Sequence, residues 1–258
     1  MSPCWTFHFR KFLRESPGLF TIPAGVFHKL GSPVGVLPGV STGDTIKGRI
    51  TCFYCVYYMF YFGGNGAGSN YSQINGCFGI FIDKNSSIYV SDNGNNRVMK
   101  FLSNSSSGIL LAGGNGAGNA SNQFNLPMGI YVDSSAAIYV ADTENHRIQK
   151  WTQGSSSGTT VAGGNEMGSN LNQLSFPRNV ICDTDGTLYI SDTNNHRIMK
   201  WTIGASNGSV IAGISGTSGT SKIMLNYPNG IAFDSDRNLY VADSSNHRVQ
   251  KFLSCTSA

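Results

Sequence analysis

This 258-residue sequence has little charge and lacks any apolar run long enough to cross a membrane. Charged residues make up 12% of it, about half the share usual in soluble domains. The most apolar run, 52–62, has 11 residues, whereas a spanning helix needs about 20. The first sixteen residues also lack the apolar centre of a secretory signal. We therefore expect no signal peptide and no membrane span, which slightly favours a cytoplasmic location.

A basic surface is also missing from most of the chain. The sequence has 18 Lys and Arg and 14 Asp and Glu, but six of the basic and two of the acidic residues lie in 1–62. Residues 63–258 therefore carry 12 of each sign and are neutral. Strong nucleic-acid binders depend on neutralising phosphates, so this balance disfavours such a role.

The residues that would carry common catalytic or metal chemistry are absent or badly placed. The six cysteines have no regular spacing, and the single C-x-x-C, Cys52 with Cys55, has no second Cys/His pair to complete a zinc site. There is no G-x-S-x-G, and no Cys–His pair in a convincing context. We expect a protein that is not an enzyme and that needs no metal or cofactor.

What the sequence does contain is a repeat of about 50 residues. Its central aspartates are 50, 50 and 51 residues apart. Each copy also has a short apolar run before the central segment and a glycine-rich run before that. The central segments read SIYVSDNGNNRVMKF (87–101), AIYVADTENHRIQKW (137–151), TLYISDTNNHRIMKW (187–201) and NLYVADSSNHRVQKF (238–252).

Each repeat divides into four short pieces rich in β-branched and aromatic residues, bounded by Gly, Asn, Asp or Ser, which predicts four antiparallel strands. The longer link to the next repeat can return from the rim of a sheet to its inner edge. This pattern predicts an all-β fold, a β-propeller of four blades within 49–258, preceded by an irregular, weakly ordered extension, 1–48. The blades are expected at about 76–113, 126–163, 176–213 and 227–253, with an extra strand at 53–62.

The sequence is consistent with two arrangements of this propeller, a closed ring and an open arc. The last repeat stops after its third strand, while the run 53–62 stands where other repeats have their fourth. That run could complete the last blade and close a four-blade ring without a free edge. The alternative is an open arc, or a fragment of a longer protein.

The repeats resemble the NHL repeat family, through the Y-V-A-D and N-H-R-I segments that recur in register over about 63–253. The first copy departs most: Gly76-Cys77 replaces a residue followed by proline, and Asn96 replaces the histidine. The resemblance implies a propeller, six-bladed in most members and similar to that of TRIM-NHL proteins. No RING or B-box cysteine array accompanies it, so ubiquitin transfer is not implied. Related amidating lyases use histidines and metal, but His146, His196 and His247 recur in separate blades and are not expected to share one metal.

Residues that recur in every blade are expected to be structural, because catalytic groups converge at one place. The aspartate can accept N–H bonds from its turn, and the arginine can bond the aspartate or loop carbonyls. These pairs are Asp92 with Arg97, Asp142 with Arg147, Asp192 with Arg197, and Asp243 with Arg248.

Residues that differ between blades are the candidates for function, because loop tips are free to vary while packing fixes the scaffold. Both sets lie on the face that carries the links between blades. The positions entering the innermost strands are Phe78, Met128, Arg178 and Asn229, and the candidate tip positions are Asn93, Glu144, Asn194 and Ser245. The alternative is that these residues differ between blades by neutral drift and have no function. We expect a monomer that binds a protein partner as a scaffold; single-stranded RNA binding is the second hypothesis and a lyase-like metal enzyme the third.

Overall fold

The computed structural model describes residues 65–103 and 105–254, all within one compact unit, 58–258. Over these residues the secondary structure consists of fifteen strands and four 3-10 turns. The predicted all-β propeller arrangement of four small antiparallel sheets is confirmed. The extension 1–48 and the predicted strand 53–62 lie outside the described residues.

The strands follow one another in chain order from the innermost to the outermost position of each sheet. Blade 1 contains β1 (Cys77–Ile82), β2 (Ile88–Asp92), β3 (Arg97–Phe101) and β4 (Ile109–Gly113). Blade 2 contains β5 (Pro127–Val132), β6 (Ile138–Asp142), β7 (Arg147–Trp151) and β8 (Thr159–Gly163). Blade 3 contains β9 (Pro177–Cys182), β10 (Thr187–Asp192), β11 (Arg197–Thr202) and β12 (Ser209–Gly213). Blade 4 contains β13 (Pro228–Phe233), β14 (Leu239–Asp243) and β15 (Arg248–Phe252).

The blades share one register, which places equivalent residues of the repeat at equivalent points. The central aspartate pairs directly with the arginine of the next strand in all four blades, as Asp142 does with Arg147. A bulge interrupts the third and fourth strands at the same position of blades 1 to 3, between Ile148 and Gln149 in blade 2. Equivalent residues of the repeat therefore have equivalent positions in the sheets.

The core lies between successive blades. Blades 1 to 3 each contribute a third-strand side chain to a cluster with the innermost strand of the blade that follows. Val98 packs in one cluster with Ile130, and Ile198 packs in another with Ile231. We call the surface a blade presents to its successor its trailing face, and the opposite surface its leading face. A sheet with a neighbour on each side is thus packed on both faces by other blades.

The turns divide the propeller into two ends. A 3-10 turn of three residues joins the second and third strands of every blade, for example Thr143–Asn145. These turns and the links between blades form the loop face. Tight turns after the innermost strands, such as 83–87, form the opposite end, which we call the hairpin face. Among the residues that the structure describes, no helix is long enough to span a membrane.

Candidate functional site

The repeated aspartate–arginine pairs lie just below the loop face and tie each blade's loops together. In all four blades the arginine Nε lies 2.7 Å from the aspartate Oδ2. In blade 3 the fully buried Arg197 also donates from Nη1 to Ser169 O at 2.7 Å and from Nη2 to Asn170 O at 3.1 Å. The other aspartate oxygen, Oδ1 of Asp192, accepts the backbone N–H of Ser175 at 2.6 Å. Each pair therefore fixes the link that carries the chain to its own blade's innermost strand.

The environment of these carboxylates differs from blade to blade. Burial raises the pKa of Asp142 and of Asp192, against the hydrogen bonds and arginine charge that lower it. At Asp243 burial again acts to raise the pKa, but the bonds from Asn246, the Asn226 backbone and Arg248 lower it overall. The Arg248 side chain is 30% exposed, whereas that of Arg197 is fully buried. The pairs are engaged in the scaffold, which leaves them unsuited to act on a ligand.

The residue that ends each 3-10 turn connects one blade to the next. It is left-handed in all four blades, with φ between 51° and 53°. In blades 2 and 3 the Nδ1 atoms of His146 and His196 accept the backbone N–H of Phe176 and Tyr227, each at 3.2 Å. Asn96 does the same in blade 1 through Oδ1, at 2.9 Å from Leu126 N. The two histidines are thus acceptors between blades, a role that the sequence did not reveal.

The tip of each 3-10 turn presents a side chain from a fixed backbone. In blades 2 to 4 the second residue of the turn is exposed, and its backbone N–H donates to a carbonyl of the preceding link at 3.0–3.2 Å. These residues are Glu144, Asn194 and Ser245. A rigid backbone with a free side chain is suited to recognition, because little conformational freedom remains to be lost on binding.

Asn93 does not belong with these tips. Its side chain is 8% exposed and donates from Nδ2 to Pro127 O of blade 2 at 3.0 Å. The equivalent residues Thr143 and Thr193 make the same bond with their hydroxyls, at 2.8 and 2.7 Å. Asn93 is therefore a connection between blades, and Gly94 occupies the tip position of blade 1. A one-residue offset within the turn separates a buried position from an exposed one, which the sequence pattern did not resolve.

The positions that enter the innermost strands also lie at the loop face, near the centre of the arc. Phe78 is 62% exposed and Asn229 is exposed, while Met128 and Arg178 are partly covered. The Nε atom of Arg178 is buried and has no hydrogen-bond partner among the described residues. Four different side chains thus occupy one repeated backbone position, and one of them has an unused donor.

The hairpin face holds a groove that the sequence analysis did not identify. It has a volume of about 550 Å³ and is lined by residues of blades 2 to 4, including Tyr131, Asp133, Cys182 and Phe233. Burial raises the pKa of the Cys182 thiol to about 11, and the nearby Asp183 acts in the same direction. Because only thiolates are good nucleophiles, this cysteine stays inert at neutral pH. The carboxylate of Asp133 is occupied by the N–H groups of Ser135 and Ala137, each at 2.9 Å.

The family comparison agrees with this geometry. The NHL repeat family matches residues 124–151 and 225–252, which run from before the innermost strand to the end of the third strand in blades 2 and 4. Blades 2 and 4 carry NHL repeats. Blades 1 and 3 reproduce the same register and the same aspartate–arginine pairs. The NHL assignment explains the fold and the recurring residues, but it names no ligand.

Solved structures with the fold of this NHL propeller differ in what they do. An auxiliary nutrient binding protein from Bacteroides thetaiotaomicron matches with a TM-score of 0.54 and 18% identity, over 69% of this chain and 47% of that one. A gluconolactonase from Xanthomonas campestris matches with a TM-score of 0.55 and 16% identity, over 73% and 61%. A chain of the nidogen/laminin complex matches with a TM-score of 0.53 and 19% identity, over 68% and 60%.

These similarities establish the fold alone. The NHL chain spans between 47% and 61% of the length of the three chains. No curated protein sequence matches it. The matched structures include both a binding protein and an enzyme, so function has to be argued from the residues of this chain.

Proposed function

We propose that this NHL propeller is a non-catalytic scaffold that binds a protein partner through its loop face. The observation that carries the proposal is the contrast between repeated and variable residues on that face. The repeated side chains are already engaged in ion pairs and hydrogen bonds of the scaffold, as in the Asp192–Arg197 pair. The variable side chains stand exposed or partly covered on a backbone held by hydrogen bonds.

The chemistry of the variable positions supports a protein ligand. Phe78, Met128 and Arg178 are residue types enriched at the centres of protein interfaces. The tips on the same face are polar: Glu144 is acidic, whereas Asn194 and Ser245 are neutral. This arrangement, apolar side chains and an arginine within a polar rim, is typical of a protein-binding surface.

Single-stranded RNA is the second candidate. An RNA site needs aromatic groups for stacking together with a basic groove that follows the backbone. Phe78 and Arg178 supply one group of each kind, but residues 63–258 contain as many acidic as basic residues. The charge balance therefore favours the protein partner. A metal-dependent lyase is supported less, because His146 and His196 accept backbone N–H groups through Nδ1.

The test is a capture experiment with the full chain as bait. We expect the triple variant Phe78→Ala, Met128→Ala, Arg178→Ala to fold normally. The amount of partner protein that it captures should be at least tenfold lower than for the wild type. The matched control carries Leu102→Ala, Ile203→Ala and Lys84→Ala, which alter two apolar residues and one cation at exposed positions of the hairpin face. The control should retain the partner.

Two results would contradict the proposal. One is equal capture of the same partner by the wild type and the triple variant, measured as Kd with the purified partner. The other is recovery of RNA, rather than protein, in a salt-sensitive gel shift that the triple variant abolishes.

A further inference from the structure

The trailing face of blade 4 is exposed where the trailing faces of the other blades are buried. The third-strand residue of this face is fully buried in blades 1, 2 and 3, as Val98, Ile148 and Ile198. The equivalent residue of blade 4, Val249, is 68% exposed. The same kind of side chain therefore stands at the same position, with no successor blade over it among the described residues.

The leading face of blade 1 shows the complementary pattern. Its innermost strand exposes Ile80 and Ile82 by 60% and 61%. The equivalent residues of blade 2, Ile130 and Val132, are 6% and 5% exposed because the trailing face of blade 1 covers them. Blade 1 thus offers the apolar half of a blade interface, and blade 4 offers the other half.

The polar groups of a blade interface are also present on the two faces. At the junction of blades 3 and 4, His196 accepts the backbone N–H of Tyr227, and Thr193 donates to the carbonyl of Pro228. In blade 4 the equivalent side chains are an exposed histidine, His247, and a hydroxyl, Ser244. The equivalent backbone groups of blade 1 are the N–H of Gly76 and the carbonyl of Cys77. Donors and acceptors therefore match in kind and in order.

The space beside the glycine of the innermost strand also differs between blade 4 and blades 1 and 2. A Cβ on Gly79 would clash with the Met128 carbonyl of the next blade, and one on Gly129 would lie 2.6 Å from the Arg178 carbonyl oxygen. Blade 3 has Asn179 at this position, and blade 4 has Gly230, where a Cβ would meet only Ala242 of its own blade, at 3.9 Å. Gly230 thus leaves room for a neighbouring backbone that the described residues do not supply.

We propose that blade 4 of one copy docks against blade 1 of a second copy of this chain, through the same contacts that join consecutive blades within it. The interface is head to tail, because the two faces that meet are different surfaces. It continues an interface that the chain builds three times, and it covers apolar residues that no blade covers among the described residues. This proposal departs from the monomer that the sequence predicted, because the first and last described blades carry the two halves of a blade interface.

The test measures the mass of the full chain in solution by light scattering across a range of concentrations. We expect the wild type to exceed the mass of one chain, and Ile80→Asp and Val249→Asp each to reduce it to that of one chain. Both substitutions lie at exposed positions, so each chain should keep its circular dichroism spectrum. Ile109→Asp is the control: Ile109 is 47% exposed on an outer strand where the other blades have Thr159 and Ser209, and assembly should persist.

Mixing the two variants distinguishes this interface from any other. Ile80→Asp keeps an intact blade 4 face, and Val249→Asp keeps an intact blade 1 face. The mixture should therefore form a dimer of one copy each, although each variant alone stays single. A mixture that remains at the mass of one chain overturns the proposal. So does a wild type that is single at all concentrations, which is the result expected if a segment of the same chain, or another protein, covers these faces.

Discussion

At the scale of single residues, the position after each 3-10 turn combines two tasks. It must adopt a left-handed backbone, and its side chain must accept an N–H from the next blade. Asn tolerates this backbone better than most residues, and Asn96 satisfies both requirements in blade 1. His146 and His196 meet them as well, but only with a neutral ring, because a protonated Nδ1 cannot accept a hydrogen bond.

This chemistry predicts a loss of stability in mild acid. Burial lowers the pKa of His146 and of His196 below 6.5. Their contribution is therefore complete above pH 6.5 and is lost as the pH falls through their folded-state pKa values. Each bond contributes about 0.5–1.5 kcal/mol. Urea unfolding of the full chain at pH 7.5 and 5.5 should show the wild type losing stability in this range.

The control is built into the chain. The double variant His146→Asn, His196→Asn reproduces the arrangement of Asn96 and should lose less stability between the two pH values while remaining folded. If the double variant lost as much stability as the wild type, the histidines would not be the acid-sensitive groups.

At the scale of elements, the innermost strands decide how closely two blades approach. Gly79 and Gly129 lie where the next blade's backbone crosses, and neither has room for a Cβ. Large apolar residues then fill the wider space toward the rim, where Trp151 and Phe124 pack with ring centroids 5.5 Å apart. The interface between blades 1 and 2 is thus narrow at a glycine near the axis and wider at aromatic residues farther out, whereas blade 3 has Asn179 at the glycine position.

We expect Gly129→Ala to destabilise the chain by about 1–3 kcal/mol, because the added methyl group would force the backbones of blades 2 and 3 apart. The measurement is the free energy of unfolding in urea at a concentration where the chain is single. Gly230→Ala is the matched control and should change it by less than about 0.5 kcal/mol. Equal effects of the two substitutions would show that contact with a following blade is not the cause.

At the scale of the whole molecule, the four described blades form a series in which each blade packs on the next. Repeat proteins derive their stability from their units and from the interfaces between neighbours. Within the part of the chain that the structure describes, blades 2 and 3 have a neighbouring blade on each side, whereas blade 4 has one. The burial of equivalent strands shows the difference: four of five residues of β7 and four of six of β11 are buried, whereas none of β15 is buried and every other one is exposed.

Hydrogen exchange rates should follow this difference in burial between equivalent strands. Amides of β15 are expected to exchange at least tenfold faster than those of β7 and β11, because local opening is easier where few apolar contacts hold a strand. Mass spectrometry of the full chain at low concentration would measure it. At high concentration the proposed contact between copies should slow exchange in β15 and β1, but leave β7 unchanged. Uniform protection across all four blades would contradict this expectation.

The sequence by itself determined the blades. Strand length, alternation and turn residues act over a few positions, so four copies of Y-V-A-D and N-H-R-I in fixed register were sufficient to predict four antiparallel sheets in one propeller. The same pattern indicated which residues repeat, and hence which are free to vary.

Only the tertiary structure decided what lies between blades. The acceptor role of His146, the burial of Asn93 and the uncovered Val249 depend on a neighbour about 30 residues or more away in sequence, or on its absence. Equivalent residues such as Ile198 and Val249 have nearly the same local sequence, yet one is fully buried and the other mostly exposed. Local patterns set the shape of a sheet, but burial depends on what packs against that sheet. The sequence of one repeat does not specify its neighbour.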